Sequence, residues 1–166
     1  MKAIPLLRER FATPVGEFLL ITDEAGALRA ANWSDREYRM APALKGATLD
    51  DRSSPSPGRL ALEAYFAGDL TAIDSLAVDT GGTPFQQEVW TRLRTIPVGA
   101  TFTYRRLAQS IGRPSAIRAA GLANATNPVS VVVPCHRVIG SDGSLTGYGG
   151  GLERKAWLLN HEGVGV

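Results

Sequence analysis

At D-T-G-G (residues 79–82) the residue pattern of the chain changes, and this junction constrains the fold more than any other feature. The segment that follows, T-P-F-Q-Q-E-V-W-T-R-L-R, has the chemistry of a helix start. Thr83 can cap the first free N–H groups, Pro84 suits the first helical position, and Gln86 completes a capping box. Phe85, Val89, Leu93 and Ile96 then recur on one stripe. The apolar runs before the junction are shorter and strand-like. The chain therefore reads as an α+β protein of two parts, 1–80 and 81–166, with 166 residues in all to build its core.

The first part predicts an antiparallel meander. R-E-R-F-A-T, Gly16, F-L-L-I-T, a turn at D-E-A-G and A-L-R-A-A-N-W are its pieces. Residues 41–58, rich in Pro, Ser, Asp and Gly, read as loop. A short helix is expected from Arg59, with Leu62, Tyr65 and Phe66 on one face and Gly68 as its stop. No residues here carry visible chemistry, so this part reads as scaffold.

Composition narrows the function classes. No apolar run approaches the ~20 residues of a membrane span, and the start M-K-A-I-P-L-L-R-E-R does not read as a secretory signal. A cytoplasmic protein is expected. The single cysteine allows no internal disulfide, and one Cys with two His makes a structural zinc site improbable. Residues 1–82 hold nine Lys/Arg against twelve Asp/Glu. Residues 83–166 hold nine against four, so the net +2 is unevenly spread. A basic half suits nucleic acid only if its cations sit on a suitable motif.

A motif of that kind is present. T-Y-R-R-L-A-Q-S-I-G (103–112) predicts a short helix capped by Thr103, burying Leu107, Ala108 and Ile111, and ended by Gly112. After a tight R-P turn, S-A-I-R-A-A-G-L-A-N-A-T (115–126) predicts a second helix rich in Ala and Gly. The pair is similar to a helix-turn-helix, with Arg105, Arg106, Arg113 and Arg118 in and around it. An ordinary helical hairpin with a solvated arginine face would show the same pattern.

The lone cysteine lies in V-V-V-P-C-H-R-V-I-G (131–140). N-P-V-S-V-V-V-P reads as a buried strand that Pro134 ends, with Cys135 at its terminus. Most free cysteines are small buried hydrophobes. His136 and Arg137 beside this one can favour its thiolate. Downstream, L-T-G-Y-G-G-G forms a glycine loop around Tyr148 that can approach a flat ligand closely. A final helix places Leu152, Ala156 and Leu159 inward and stops at Gly163, with His161 and Glu162 as a pair at a solvated end. Residue chemistry alone thus reaches an activated thiol beside a helix pair that could bind DNA.

P-C-H-R-V-I-G closely resembles the active-site signature of the O6-alkylguanine-DNA alkyltransferases. G-T-P-F-Q-Q-E-V-W, T-Y-R-R-L-A, R-A-A-G-L-A-N-A-T-N-P and G-Y-G-G-G-L-E-R-K-A-W-L-L extend the resemblance over 83–163. A-Y-F-A-G-D-L is the clearest piece of a looser match in the first half. The resemblance implies a ribonuclease-H-like antiparallel-sheet domain, then a helical domain like a winged helix-turn-helix. It implies a monomer acting on double-stranded DNA from the minor groove, with alkylated guanine flipped out, and transfer of the alkyl group to Cys135. O4-alkylthymine is a second expected substrate. No cofactor is implied. His136 would relay the thiol proton to Glu162, and Asn127 would tie the cysteine segment to the preceding helix. Arg118 would fill the gap in the base stack, and Tyr104 would crowd the target's 3′ phosphate and hydrogen-bond the guanine edge. Ser115, Ala119, Ala120 and Gly121 would lie along the groove. Tyr148, Gly149, Gly150 and Val138 would line the pocket.

Two departures from the family pattern matter. The first half lacks the cysteine some members use for zinc, so no metal is expected. Gly149 leaves room, so alkyl groups larger than methyl should be accepted. A non-catalytic DNA-binding module and a cysteine hydrolase using His161 are the competing readings.

Overall fold

The computed structural model describes residues 2–166 and divides between Gly81 and Gly82 into two units. In the first, a four-stranded sheet has the order β3-β2-β1-β4. Its strands are β1 (Ile4–Thr13), β2 (Gly16–Asp23), β3 (Leu28–Trp33) and β4 (Ala47–Asp51). β1–β2 and β2–β3 are antiparallel, as expected, whereas β4 lies parallel to β1, so the sheet is mixed.

Central β2 is buried on both faces. Leu19 and Ile21 point one way, into a cluster with Leu6, Ala30 and Met40 of the 3-10 segment Ser34–Leu44. Phe18 and Leu20 point the other way, as the two-residue strand period requires. The Phe18 ring meets Trp33 edge-on at 5.0 Å and Phe66 at 6.1 Å. Phe66 belongs to α1 (Pro57–Phe66), whose Leu62 and Tyr65 are also buried. α1 sits close because a Cβ at Gly58 would meet Leu28 Cδ1 at 3.3 Å. Ser56 caps α1, and buried Glu9 accepts from both the Ser56 N–H and its hydroxyl.

Two expectations fail in this unit. Residues 41–58 are not a loop, because they hold the end of the 3-10 segment, β4 and the start of α1, which begins two residues before Arg59. The apolar alternation that makes β4 is only Ala47 and Leu49, set among polar residues. Short, charged edge strands have this composition because it discourages pairing with other chains.

The second unit is built from α2 (Pro84–Leu93), α3 (Tyr104–Ser110), α4 (Ile117–Ala125) and α5 (Leu152–His161). A two-residue parallel pair completes it, β5 (Phe102–Thr103) with β6 (Val138–Ile139). The Thr83–Gln86 capping box forms reciprocally, with bonds of 3.1 and 2.9 Å. α2 buries Val89, Trp90 and Leu93, and Trp90 Nε1–H donates to Ala123 O of α4 at 2.8 Å. Thr103 caps α3 through the Arg106 N–H, and Gly112 ends it in the left-handed region at φ +73°.

Residues 128–134 are buried, and the 127–134 run is not a strand. Val132 N donates to Ser130 O at 3.0 Å across Val131, whose φ is +74°. Cys135 N donates to Val133 O at 2.8 Å across Pro134, at φ −82° and ψ 63°. Two successive three-residue turns therefore fold a β-branched run that would otherwise extend. A β-branched residue at positive φ is strained by about 1–3 kcal/mol, so the surroundings must hold it. Leu152, expected inward, is instead 49% exposed at the start of α5.

Candidate active site

Because Pro134 turns the chain, Cys135 opens one turn of 3-10 helix, Cys135–Arg137, rather than ending a strand. Cys135 keeps 6% exposure, while Val138 and His136 have none. Asn127 holds the segment beneath it. Its Nδ2 donates to Val133 O at 2.8 Å and Val129 O at 3.3 Å, and its Oδ1 accepts from Val129 N at 3.0 Å. Buried Asn124 of α4 donates to Cys135 O at 3.4 Å.

Glu162 is not at a solvated end. It caps α5 and is buried with His136 and Arg137. Its carboxylate takes His136 Nε2 at 2.8 Å, Arg137 Nε at 2.7 Å and Arg137 Nη2 at 3.0 Å. Arg137 Nη1 also donates to Ile96 O at 2.6 Å. Burial alone would raise the Glu162 pKa. The hydrogen bonds from His136 and Arg137, together with their charges, outweigh it and hold the carboxyl far below the usual carboxylate range.

Burial pushes His136 down from its usual 6.5. Glu162 acts the opposite way, and Arg137 and Lys155 add to the depression. A neutral imidazole facing an ionised carboxylate carries its proton on Nε2. That leaves the lone pair on Nδ1, which meets no protein hydrogen-bond partner. His161, the other histidine, stacks on Trp157 at 4.6 Å, so the sequence neighbours His161 and Glu162 do not form the working pair.

Lys155 of α5 is wholly buried, and its Nζ donates to Val138 O at 2.6 Å and Thr146 O at 2.7 Å. Burial pushes its pKa down to about 8, against the opposing pull of the Cys135 charge. The same attraction in reverse favours a thiolate. Tyr148 meets the His136 ring edge-on at 6.3 Å. Val138 and Gly150 are buried, and Gly149 is half-buried.

On the helix pair, Tyr104 opens α3. A Cβ at Gly121 would meet its ring at 3.5 Å, and its hydroxyl lies 2.8 Å from Thr146 Oγ1. Ser115, Arg118 and Ala119 are exposed, but Ala120 points into the core and cannot meet a ligand. Leu122 fills that face instead, 67% exposed four residues beyond Arg118. Arg106 lies over the Phe102 ring at 4.2 Å, and Arg113 pairs with Glu88 at 3.5 Å. Sequence reasoning placed Arg137 beside the thiol but not on Glu162, and it missed Lys155, Asn124 and Leu122. Lys155 carried no signal of burial, since Glu153 and Arg154 precede it in the sequence.

Residues 6–80 match the ribonuclease-like domain of 6-O-methylguanine DNA methyltransferase, and residues 84–164 match its DNA binding domain. Over 164 residues the chain is 51% identical to a methylated-DNA–protein-cysteine methyltransferase of Shigella flexneri, covering 95% of this chain and 96% of the relative. The chain belongs to the methylated-DNA–protein-cysteine methyltransferase family. A methyltransferase of the same description from Methanosarcina acetivorans is 42% identical over 92% of this chain and 96% of its own. Among solved structures, the fold is similar to the O6-methylguanine methyltransferase of Mycobacterium tuberculosis. The TM-score is 0.80 at 41% identity, covering 95% of this chain and 92% of that one. It is also similar to the crystal structure of Mycobacterium tuberculosis OGT in complex with DNA, with TM-score 0.81 at 39% identity, over 98% and 95% of the two chains. Among the described residues, no helix of this methyltransferase is long and apolar enough to cross a membrane.

Proposed function

We propose that this methyltransferase repairs double-stranded DNA by moving the alkyl group from O6 of guanine onto Cys135, once per molecule. The observation that carries the reading is the buried Arg137–Glu162–His136 chain beside a nearly buried thiol. His136 Nδ1, directly or through water, takes the thiol proton, and the sulfur then attacks the alkyl carbon. The C–O6 bond breaks with its electron pair going to the purine, a C–S bond forms, and the proton ends on guanine. No group in the site can cleave the resulting thioether.

Glu162 stays ionised throughout. Arg137 grips it twice, so it orients and charges the imidazole and does not itself take the proton, the division of labour in a Ser-His-Asp triad. This revises the expectation that the proton ends on Glu162. Lys155, as a buried ammonium near the sulfur, favours the thiolate.

The damaged base reaches the thiol by flipping from the minor groove, at a cost of a few kcal/mol. Exposed Arg118 fills the space left behind, Ala119 and Ser115 lie along the groove, and Tyr104 faces the target nucleotide. Tyr148, Gly149, Gly150 and Val138 line the pocket. Room at Gly149 admits groups larger than methyl, and O4-alkylthymine is a second substrate. Comparing ethyl and methyl substrates checks the room, and no reaction with ethyl refutes it.

Duplex DNA bearing radiolabelled O6-methylguanine tests the whole reading. Label should appear on the Cys135 peptide, reach at most one per protein, and vanish in Cys135→Ser. Label on another residue, or repeated turnover, would rule the mechanism out.

A further inference from the structure

The loop that follows β6 returns to α5, and one of its residues bonds to both α3 and α5. Thr146 Oγ1 lies 2.8 Å from the Tyr104 hydroxyl. Its backbone carbonyl accepts from Lys155 Nζ at 2.7 Å, and the same ammonium holds Val138 O at 2.6 Å. Tyr104 in turn packs its ring against Gly121 of α4. The Tyr104 ring is thus fixed at one edge by α4 and at its oxygen by the pocket loop.

Resting on the alkyl-transfer reading above, we propose that Thr146 is a positioning residue for that reaction: its hydroxyl donates to the Tyr104 oxygen and turns the Tyr104 proton toward the everted base. A hydroxyl has one proton and two acceptor lone pairs. Free in water, a phenol rotates its proton among many partners. Once Thr146 donates to a lone pair, the Tyr104 O–H points away from the loop, toward the space a flipped purine enters. The carbonyl anchor to Lys155 is independent of the side chain, so Thr146 stays in place when only its hydroxyl is removed. Thr146 is also exposed, so the change creates no cavity.

Single-turnover transfer from duplex O6-methylguanine at saturating protein tests this. Thr146→Val should slow transfer about three- to tenfold, the range of one net hydrogen bond, with affinity for undamaged duplex unchanged. Thr146→Ser should restore the rate to within about twofold, because it returns the hydroxyl. In a Tyr104→Phe background, Thr146→Val should add no further loss, since the two groups act as one unit. A Thr146→Val rate equal to that of the unaltered protein overturns the proposal. So does a Thr146→Ser as slow as Thr146→Val, or an undiminished Thr146→Val loss in the Tyr104→Phe background. Failure of the unaltered protein to label Cys135 overturns the repair reading as well. Normal labelling with an indifferent Thr146→Val overturns the positioning role alone.

Discussion

Glu162→Gln separates what the buried ionic chain does for folding from what it does for the reaction. Glu162 and Arg137 are both buried and share two hydrogen bonds of 2.7 and 3.0 Å. Gln keeps the shape but removes the charge, leaving the guanidinium buried without its counter-ion. Removing one partner of such a pair costs about 3–5 kcal/mol. With a urea slope of about 1–3 kcal/mol/M for a small domain, the unfolding midpoint should fall by about 2 M. Adding Arg137→Met removes the orphaned charge, so the double variant should be more stable than Glu162→Gln alone. Transfer should not recover with it. Without a carboxylate the imidazole loses its fixed tautomer, and positioned acid–base catalysis is worth about 10²–10⁴-fold. Both variants should therefore transfer label at least about a hundredfold more slowly, measured as second-order rate constants on duplex O6-methylguanine. A Glu162→Gln as stable as the parent, a double variant less stable than the single, or a double variant with restored rate would refute the reasoning.

Other perturbations follow from the same geometry. His136 binds its proton more weakly folded than unfolded, so below pH 6.5 the unfolded chain holds more protons and stability falls as pH drops. That loss runs at up to about 1.4 kcal/mol per pH unit, and His136→Gln should flatten it in urea titrations between pH 6.5 and 5. Glu162, held low, adds a loss only below its usual 4.5. Asn127→Ala removes the clamp on the strained Val131 turn. It should destabilise by about 2–4 kcal/mol, the sum of its hydrogen bonds, and speed amide exchange at Val133. Arg118→Ala should leave stability within about 0.5 kcal/mol, because the side chain is exposed. It should slow transfer from duplex DNA while leaving transfer from the free alkylated base unchanged.

The parts of the fold that could be read from sequence are those set by contiguous chemistry. Thr83, Pro84 and Gln86 act within four residues, and the capping box appears where they place it. Thr103 and Gly112 bracket α3 in the same way. β4 was hidden because a polar edge strand of five residues offers only Ala47 and Leu49 as alternation, and its parallel pairing with β1 depends on residues about forty positions away. The 129–133 run misled for a related reason. Valines favour extended backbone only where nothing else decides, and here Asn127 bonds at both ends of the run decide for turns.

The site divides along the same line. Cys135 and His136 announce themselves as neighbours, yet adjacency says nothing about which partner the imidazole takes. Sequence order pairs Glu162 with His161, whereas the α5 C-terminus delivers the carboxylate to His136 across 26 positions. In the proposed reaction, Arg137 decides which group takes the proton. A lone buried Glu beside a neutral His would be pushed toward protonation by burial and would take the proton itself. With the guanidinium bonded to both carboxylate oxygens, the carboxylate remains charged, and in the proposed mechanism the imidazole takes the proton. The state of the pair His136–Glu162 therefore depends on a third residue, Arg137, whose place beside Cys135 in the sequence points to the thiol and gives no sign of the carboxylate it holds.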